Sequence, residues 1–200
     1  MTARFLTLAV LSIATVACSK RDAVERDDFA AWSADAGRAR PIAEYARFLQ
    51  ERGVGDVLPM RELLRSGRRW QRCGRDRYAI PPRAQWPAMV PTLALAADLR
   101  ARGLLPAARV ASVYRDASFN RCEGGSPLSR HLANAALDFD LTAQEGGIAR
   151  LCDYWRRYGR ERRFGLGFYS DHQIHVDTTG YRTWGGDYTR KTSLCAATTP

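Results

Sequence analysis

Two short stretches alternate their side chains with a period of two, and this alternation limits the fold more than any other feature. In Ala136-Leu137-Asp138-Phe139-Asp140-Leu141, the apolar Leu137, Phe139 and Leu141 point one way and Asp138 and Asp140 the other. Gln173-Ile174-His175-Val176-Asp177 repeats the pattern, with Ile174 and Val176 directed into a core and Gln173, His175 and Asp177 on the opposite face. Two neighbouring strands of this kind bring Asp138 and His175 together over one cleft. The chain holds only three histidines in 200 residues, His131, His172 and His175, and all of them fall in or just before these stretches.

Imidazole nitrogens and carboxylate oxygens are the donors that zinc takes in a tetrahedral shell, with one position left open in catalytic sites. His131, Asp138 and His175 supply three of them. A single histidine beside an aspartate is equally well explained as a hydrogen-bonded pair in a core or on a surface. Spacing alone therefore leaves both a metal site and an ordinary polar cluster open.

The remaining elements point to an α+β fold, with N-terminal helices packed on a small antiparallel sheet that carries the site. Pro41 to Arg52 has a stripe of Ile42, Tyr45, Phe48 and Leu49 after a proline suited to a first helical turn. Ala84 to Arg102 has Trp86, Val90, Leu93, Ala97 and Leu99, with Pro91 marking a start or a bend. From Arg109 onward the pattern changes. Val110 to Val113 reads as a strand, Ile148 to Arg160 as a helix, and Leu166 to Tyr169 with Gln173 to Thr178 as a closing strand pair. Arg182 and Trp184 either wall the cleft or pack under the final loop.

At these residues the sequence resembles the zinc D-alanyl-D-alanine peptidases, the group that includes the vancomycin-resistance D,D-peptidases and cell-wall endopeptidases. The likeness is carried by Ser129-x-His131, Ala136-x-Asp138 and His175-x-Asp177, and by the upstream run Val110 to Asp116 with Asn120 and Gly124-Gly125. It spans about Arg109 to Trp184. The resemblance implies that His131, Asp138 and His175 hold Zn2+, and that Arg115 holds a substrate carboxylate or a polarised carbonyl, for which its planar fork is suited. Two positions depart from the family pattern. Asn134 stands where glycine is usual, and asparagine tolerates the left-handed backbone better than most residues. The family's general base lies two or three residues before the last ligand, where this chain has Gln173 and His172. His172 is thus the candidate base, and Asp177 either shares in catalysis or orients His175.

Export is expected from the N-terminus. A short basic start and an apolar run from Phe5 to Ala17 read as a signal peptide, residues 1 to 17, and Cys18 after Thr15-Val16-Ala17 resembles a site of lipidation. Residues 18 to 28 then form a tether, and 29 to 200 one peptidase domain, helical over 29 to 108 and carrying the site over 109 to 200. Of five cysteines, setting Cys18 aside leaves Cys73, Cys122, Cys152 and Cys195, an even set suited to two disulfides in a periplasm, in any of three pairings. Free buried thiols are the alternative.

A formal net charge of +10 suits a polyanionic partner. Export argues against nucleic acid and favours the acidic cell wall. Two functions follow: a monomeric zinc peptidase acting on peptidoglycan stem peptides, and a non-catalytic, zinc-containing lipoprotein that binds the wall. Contact with a membrane is expected only through the lipid on Cys18.

Overall fold

The computed structural model describes residues 23–105, 109–141 and 147–196. The expected signal peptide and Cys18 lie outside the described residues. Of the expected tether, residues 23–28 are described and are helical. The chain divides into two units, residues 1–42 and 43–200.

In the first unit, residues 23–33 are helical, and Asp35 opens the next helix, α1 (Ala36–Gln50). The Asp35 carboxylate accepts from the Gly37 amide at 3.0 Å, and its carbonyl accepts from the Arg38 amide at 2.9 Å. A carboxylate there satisfies amides that a first turn leaves without partners. With this start available, α1 begins ahead of Pro41 and carries that proline inside it. Arg38 covers the Trp32 ring at 5.0 Å and donates to its carbonyl at 3.0 Å.

In the second unit the helical part contributes Tyr45 and Leu49 of α1, Leu63 of the single turn α2 (Met60–Leu63), and the long helix α3 (Trp86–Ala101). Trp86, Met89, Leu93, Ala96 and Leu99 form the buried stripe of α3. Val90 and Ala97 are only half-buried, so the inward face is turned by one residue from the expected one. Pro87 near its start is where a missing amide costs nothing, and Pro91 one turn on removes one bond from the ladder.

Five strands follow: β1 (Arg109–Ser112), β2 (Ala136–Asp140), β3 (Gly165–Phe168), β4 (Gln173–Asp177) and β5 (Arg182–Trp184). Their order is β1-β2-β4-β3-β5. All neighbours are antiparallel except β3 and β5, which run parallel. Helix α4 (Ala117–Cys122) lies between β1 and β2 in sequence, and α5 (Gly147–Tyr158) precedes β3. The architecture is the expected α+β arrangement. Leu137 pairs with Val176 and Phe139 with Ile174, all of them fully buried. α3 packs against β2 and β4. There Thr92 donates to the Ala135 carbonyl and shares a hydrogen bond with Thr178, both at 3.0 Å, which ties the helix to the entry of β2 and the exit of β4.

Two disulfides close the fold, Cys73–Cys122 and Cys152–Cys195.

Candidate metal centre

Strand register places the first two site residues. Asp138 of β2 lies directly opposite His175 of β4, on the face away from the Leu137, Phe139, Ile174 and Val176 core. On its other side, His175 faces Gly167 of β3. A Cβ at Gly167 would come within 2.3 Å of the Trp184 indole, and one at Gly165 within 2.3 Å of the Asp177 carboxylate. Two glycines on one strand face thus make room for the groups that flank His175. The Trp184 ring lies 5.0 Å from the imidazole, centroid to centroid.

His131 arrives from a 3-10 turn, Arg130–Ala133, just ahead of β2. Ser129 caps this turn by accepting from the His131 amide at 3.4 Å. The turn ends at Asn134, which takes the left-handed conformation (φ 52°, ψ 41°) and is fully buried. Its side-chain amide donates to the Tyr45 hydroxyl at 3.2 Å and to the Gln85 carbonyl at 3.3 Å, so the asparagine does more than tolerate the turn.

The hydrogen bonds behind the histidines settle which nitrogens face the site. His131 Nδ1 contacts the Val113 carbonyl, which can only accept, so Nδ1 carries the proton and Nε2 has the lone pair. His175 Nε2 lies 3.1 Å from the Asp177 carboxylate and donates to it, leaving the Nδ1 lone pair facing inward. These two lone pairs are 3.2 Å apart, and Asp138 Oδ1 lies 3.1 Å from the first and 3.0 Å from the second. Three acceptors converge, and this arrangement calls for a cation or a proton at its centre. Ligands about 2.0 Å from a tetrahedral ion stand about 3.3 Å from one another, close to the observed triangle. His131, Asp138 and His175 are therefore a donor set that fits a metal ion, and among the described residues they form the cluster able to hold one.

Electrostatics agree with the geometry. Burial pushes the His131 imidazolium down to about 4, and the Arg115 charge adds to that effect, so this ring is neutral at ordinary pH. Burial also opposes the charge on Asp138, but His131 and His175 hold its carboxyl well below 3.8. For His175 burial lowers the value, and the hydrogen bonds to Asp138 and Asp177 raise it overall.

Arg115 is buried and donates from Nη2 to Asp138 Oδ2 at 3.2 Å, while its Nε has no hydrogen-bond partner among the described residues. Asp177 lies behind His175, away from the converging lone pairs. It is fully buried and held by the Thr179 amide and hydroxyl at 2.8 and 2.7 Å and by a bidentate Arg182 fork at 3.1 and 2.7 Å. Its place is that of a positioning residue acting through His175. His172 stands apart from the cluster. Its side chain is 59% exposed in the turn between β3 and β4, and Nδ1 lies 2.6 Å from Asp171.

Two participants escaped the sequence reading. Arg68 reaches Asp140 and lies 3.9 Å from Asp138 Oδ2. The Tyr169 hydroxyl lies 3.5 Å from His175 Nδ1, and burial with the Asp138 charge raises it well above 10, so it stays protonated. The cluster opens into a cleft of about 610 Å³ lined by Arg68, Arg115, Arg130, Tyr169, Trp184 and Tyr188 among others.

The buried Asp177 makes a pH prediction for the metal-free protein. Against burial, His175 and Arg182 hold its carboxyl at about 2, below its ordinary 3.8. Between those values the unfolded chain binds more protons than the folded one. The stabilisation is therefore complete above pH 3.8 and disappears as pH falls through 2, a loss of about 2 kcal/mol. Denaturant titrations from pH 5 to pH 2 should show this fall in the parent chain and a flatter profile in Asp177→Asn. Parallel profiles would rule out the assignment.

A family model described as peptidase M15 matches residues 64–177, a span that contains Arg115, His131, Asp138, His172, His175 and Asp177. No curated protein and no solved structure matches the chain. With the matched span covering more than half of the sequence, and a His-Asp-His donor set at the floor of its cleft, this chain belongs to the peptidase M15 family of D-alanyl-D-alanine peptidases.

Proposed function

We propose that this protein is an exported zinc peptidase that hydrolyses D-amino-acid-containing peptide bonds of peptidoglycan stems. The observation that carries the reading is the convergence of two imidazole lone pairs and one carboxylate oxygen at the floor of an arginine-lined cleft. Two nitrogen donors with one carboxylate favour zinc over the harder cations, which prefer oxygen alone. His131, Asp138 and His175 are the residues that would hold the ion, which when bound supplies a Lewis acid that acidifies water and polarises the scissile carbonyl.

The protein's own groups do the rest. Asp177 fixes the tautomer of His175 so that Nδ1 keeps its lone pair. Arg115 offers its guanidinium to the carboxylate or carbonyl oxygen of the peptide. His172 takes the proton from the attacking water. Asp171 accepts from its Nδ1, which leaves Nε2 as the basic nitrogen once the imidazole turns toward the cleft. Two disulfides support an oxidising compartment outside the cytoplasm, in keeping with a signal peptide and lipidated Cys18.

One observation favours a second reading. His172 is exposed and paired with Asp171, outside the cluster, as expected of a wall-binding protein that keeps the metal centre without a working base. Metal analysis and mass spectrometry of muropeptides separate the two, with His175→Ala as control. The enzyme should contain about one zinc per chain and release D-alanine or open a cross-link. Intact muropeptides with a fully loaded protein that still sediments with sacculi would leave the binding reading, and a metal-free protein would defeat both.

A further inference from the structure

Three large apolar side chains are markedly exposed among the described residues, Val24, Leu128 and Tyr188. Two of the three, Leu128 and Tyr188, line the cleft that holds the metal-binding cluster. Leu128 is 80% exposed and Tyr188 56% exposed. Scattered surface leucines need no explanation, but apolar groups gathered at the mouth of a charged cleft do.

Tyr188 is also held against its backbone preference. Its φ is 61°, in the left-handed region that costs a bulky residue and that glycine enters freely. The surrounding turn imposes this conformation. The Tyr188 amide donates to the Gly185 carbonyl at 2.9 Å, the Gly185 amide donates to the Thr189 carbonyl at 3.0 Å, and Asp187 accepts from the Thr189 amide at 2.8 Å. Gly185 itself is packed so closely that a Cβ would lie 2.0 Å from the Thr192 carbonyl. A strained, half-exposed tyrosine gains nothing for stability where glycine would be relaxed. Strain kept at a cleft mouth points to a role in binding. On the facing loop, the Ser126 hydroxyl accepts from the Leu128 amide at 3.1 Å, and that loop follows α4, which the Cys73–Cys122 bridge anchors.

We propose that Leu128 and Tyr188 form a substrate subsite at the cleft mouth that grips a small apolar side chain next to the scissile bond, the methyl group of an alanine residue. The subsite rests on the peptidase reading. Division of labour in the cleft supports this ligand: Arg68, Arg115 and Arg130 provide cations for the carboxylates of a stem peptide, and the two lips provide the apolar contact that an alanine methyl needs. An apolar lip pair of this size discriminates modestly, since one methyl in a hydrophobic site is worth roughly a 4-fold to 10-fold preference.

The test compares the zinc-loaded full chain with Tyr188→Gly and Leu128→Ser, using a synthetic pentapeptide ending in D-Ala-D-Ala and its analogue ending in D-Ala-Gly. Tyr188→Gly should raise KM for the D-Ala-D-Ala peptide about 10-fold, leave kcat within about 2-fold, and erase the preference over the glycine analogue. Its Tm should stay level or rise by about 2–4 °C, because the strained backbone relaxes. Leu128→Ser should lower the same preference. A fall in Tm, or an unchanged KM and preference in both variants, overturns the subsite. If the parent chain cleaves neither peptide, the peptidase reading is what fails. The subsite is then judged by calorimetric binding of the two peptides to the same proteins, where equal affinities in parent and variants overturn it.

Discussion

Replacement of Asp138 by alanine should remove metal retention and peptide hydrolysis together, with kcat/KM falling about 10³-fold or more. The expectation follows from what the carboxylate neutralises. Its Oδ1 meets both imidazole lone pairs at 3.0 and 3.1 Å, and its Oδ2 receives the buried Arg115 guanidinium at 3.2 Å. Without it, two nitrogens cannot hold the ion against dialysis, and a buried cation loses its partner. Removing one member of such a buried pair costs about 3–5 kcal/mol. His131→Ala deletes a neutral ring instead, since burial keeps that imidazole uncharged near neutral pH. The two variants should be alike in lost zinc content and activity but unlike in the stability of their metal-free forms, with Asp138→Ala the weaker in denaturant. Equal stabilities would show that Arg115 does not depend on Asp138, and a normal metal content in either variant would remove that residue from the ligand set.

Breaking the Cys73–Cys122 bridge should cost both stability and function, whereas breaking Cys152–Cys195 should cost mainly stability. The sequence separations are 49 and 43 residues, so the chain-entropy argument assigns each bridge about 4 kcal/mol. For a chain of this size that is a drop in Tm of roughly 8–16 °C per bridge. Their positions divide the functional outcome. Cys122 ends α4, whose N-terminal cap Asp116 directly follows Arg115. The loop beyond α4 leads to the turn that carries His131, and the Arg115 amide bonds the His131 carbonyl at 3.2 Å. Loosening α4 therefore shifts the arginine and a metal ligand together. Cys195 sits at the end of the described chain, where its carbonyl accepts from Arg156 at 3.2 Å, remote from the cluster in sequence and on the α5 side. Paired Cys→Ser variants, assayed by thermal unfolding and by hydrolysis well below their Tm, test this. Equal losses of activity from the two bridges would contradict it.

Local pattern made the central sheet legible, because alternation in β2 and β4 needs no knowledge of the rest of the chain. The Asp138 and His175 pairing followed from it, and the opposed register bears that out. Helix faces were less secure: the stripe on α3 is turned by one residue because Met89 and Ala96 compete with Val90 and Ala97 for the same groove. β5 left no mark in the sequence, since three residues are too short for a period, and its parallel pairing with β3 depends on Gly165 and Gly167 clearing space for Arg182 and Trp184. Those glycines were the readable clue. Arg68 offered none, as it sits in an arginine-rich loop and meets Asp140 across 72 positions. Tyr169 ends an apolar strand, where nothing distinguishes a tyrosine that faces an imidazole from one that fills a core.

The strand order has a further consequence for how the protein survives without its ion. β2 and β4 are interior strands, each hydrogen-bonded on both sides, so Asp138 and His175 ride on backbone that no fraying edge can reach. Donors carried this way keep their spacing when the cavity between them is empty. The ion then enters a mould that is already cast, and its departure leaves the mould intact, so loading and stripping amount to exchange at a standing site rather than to folding and unfolding.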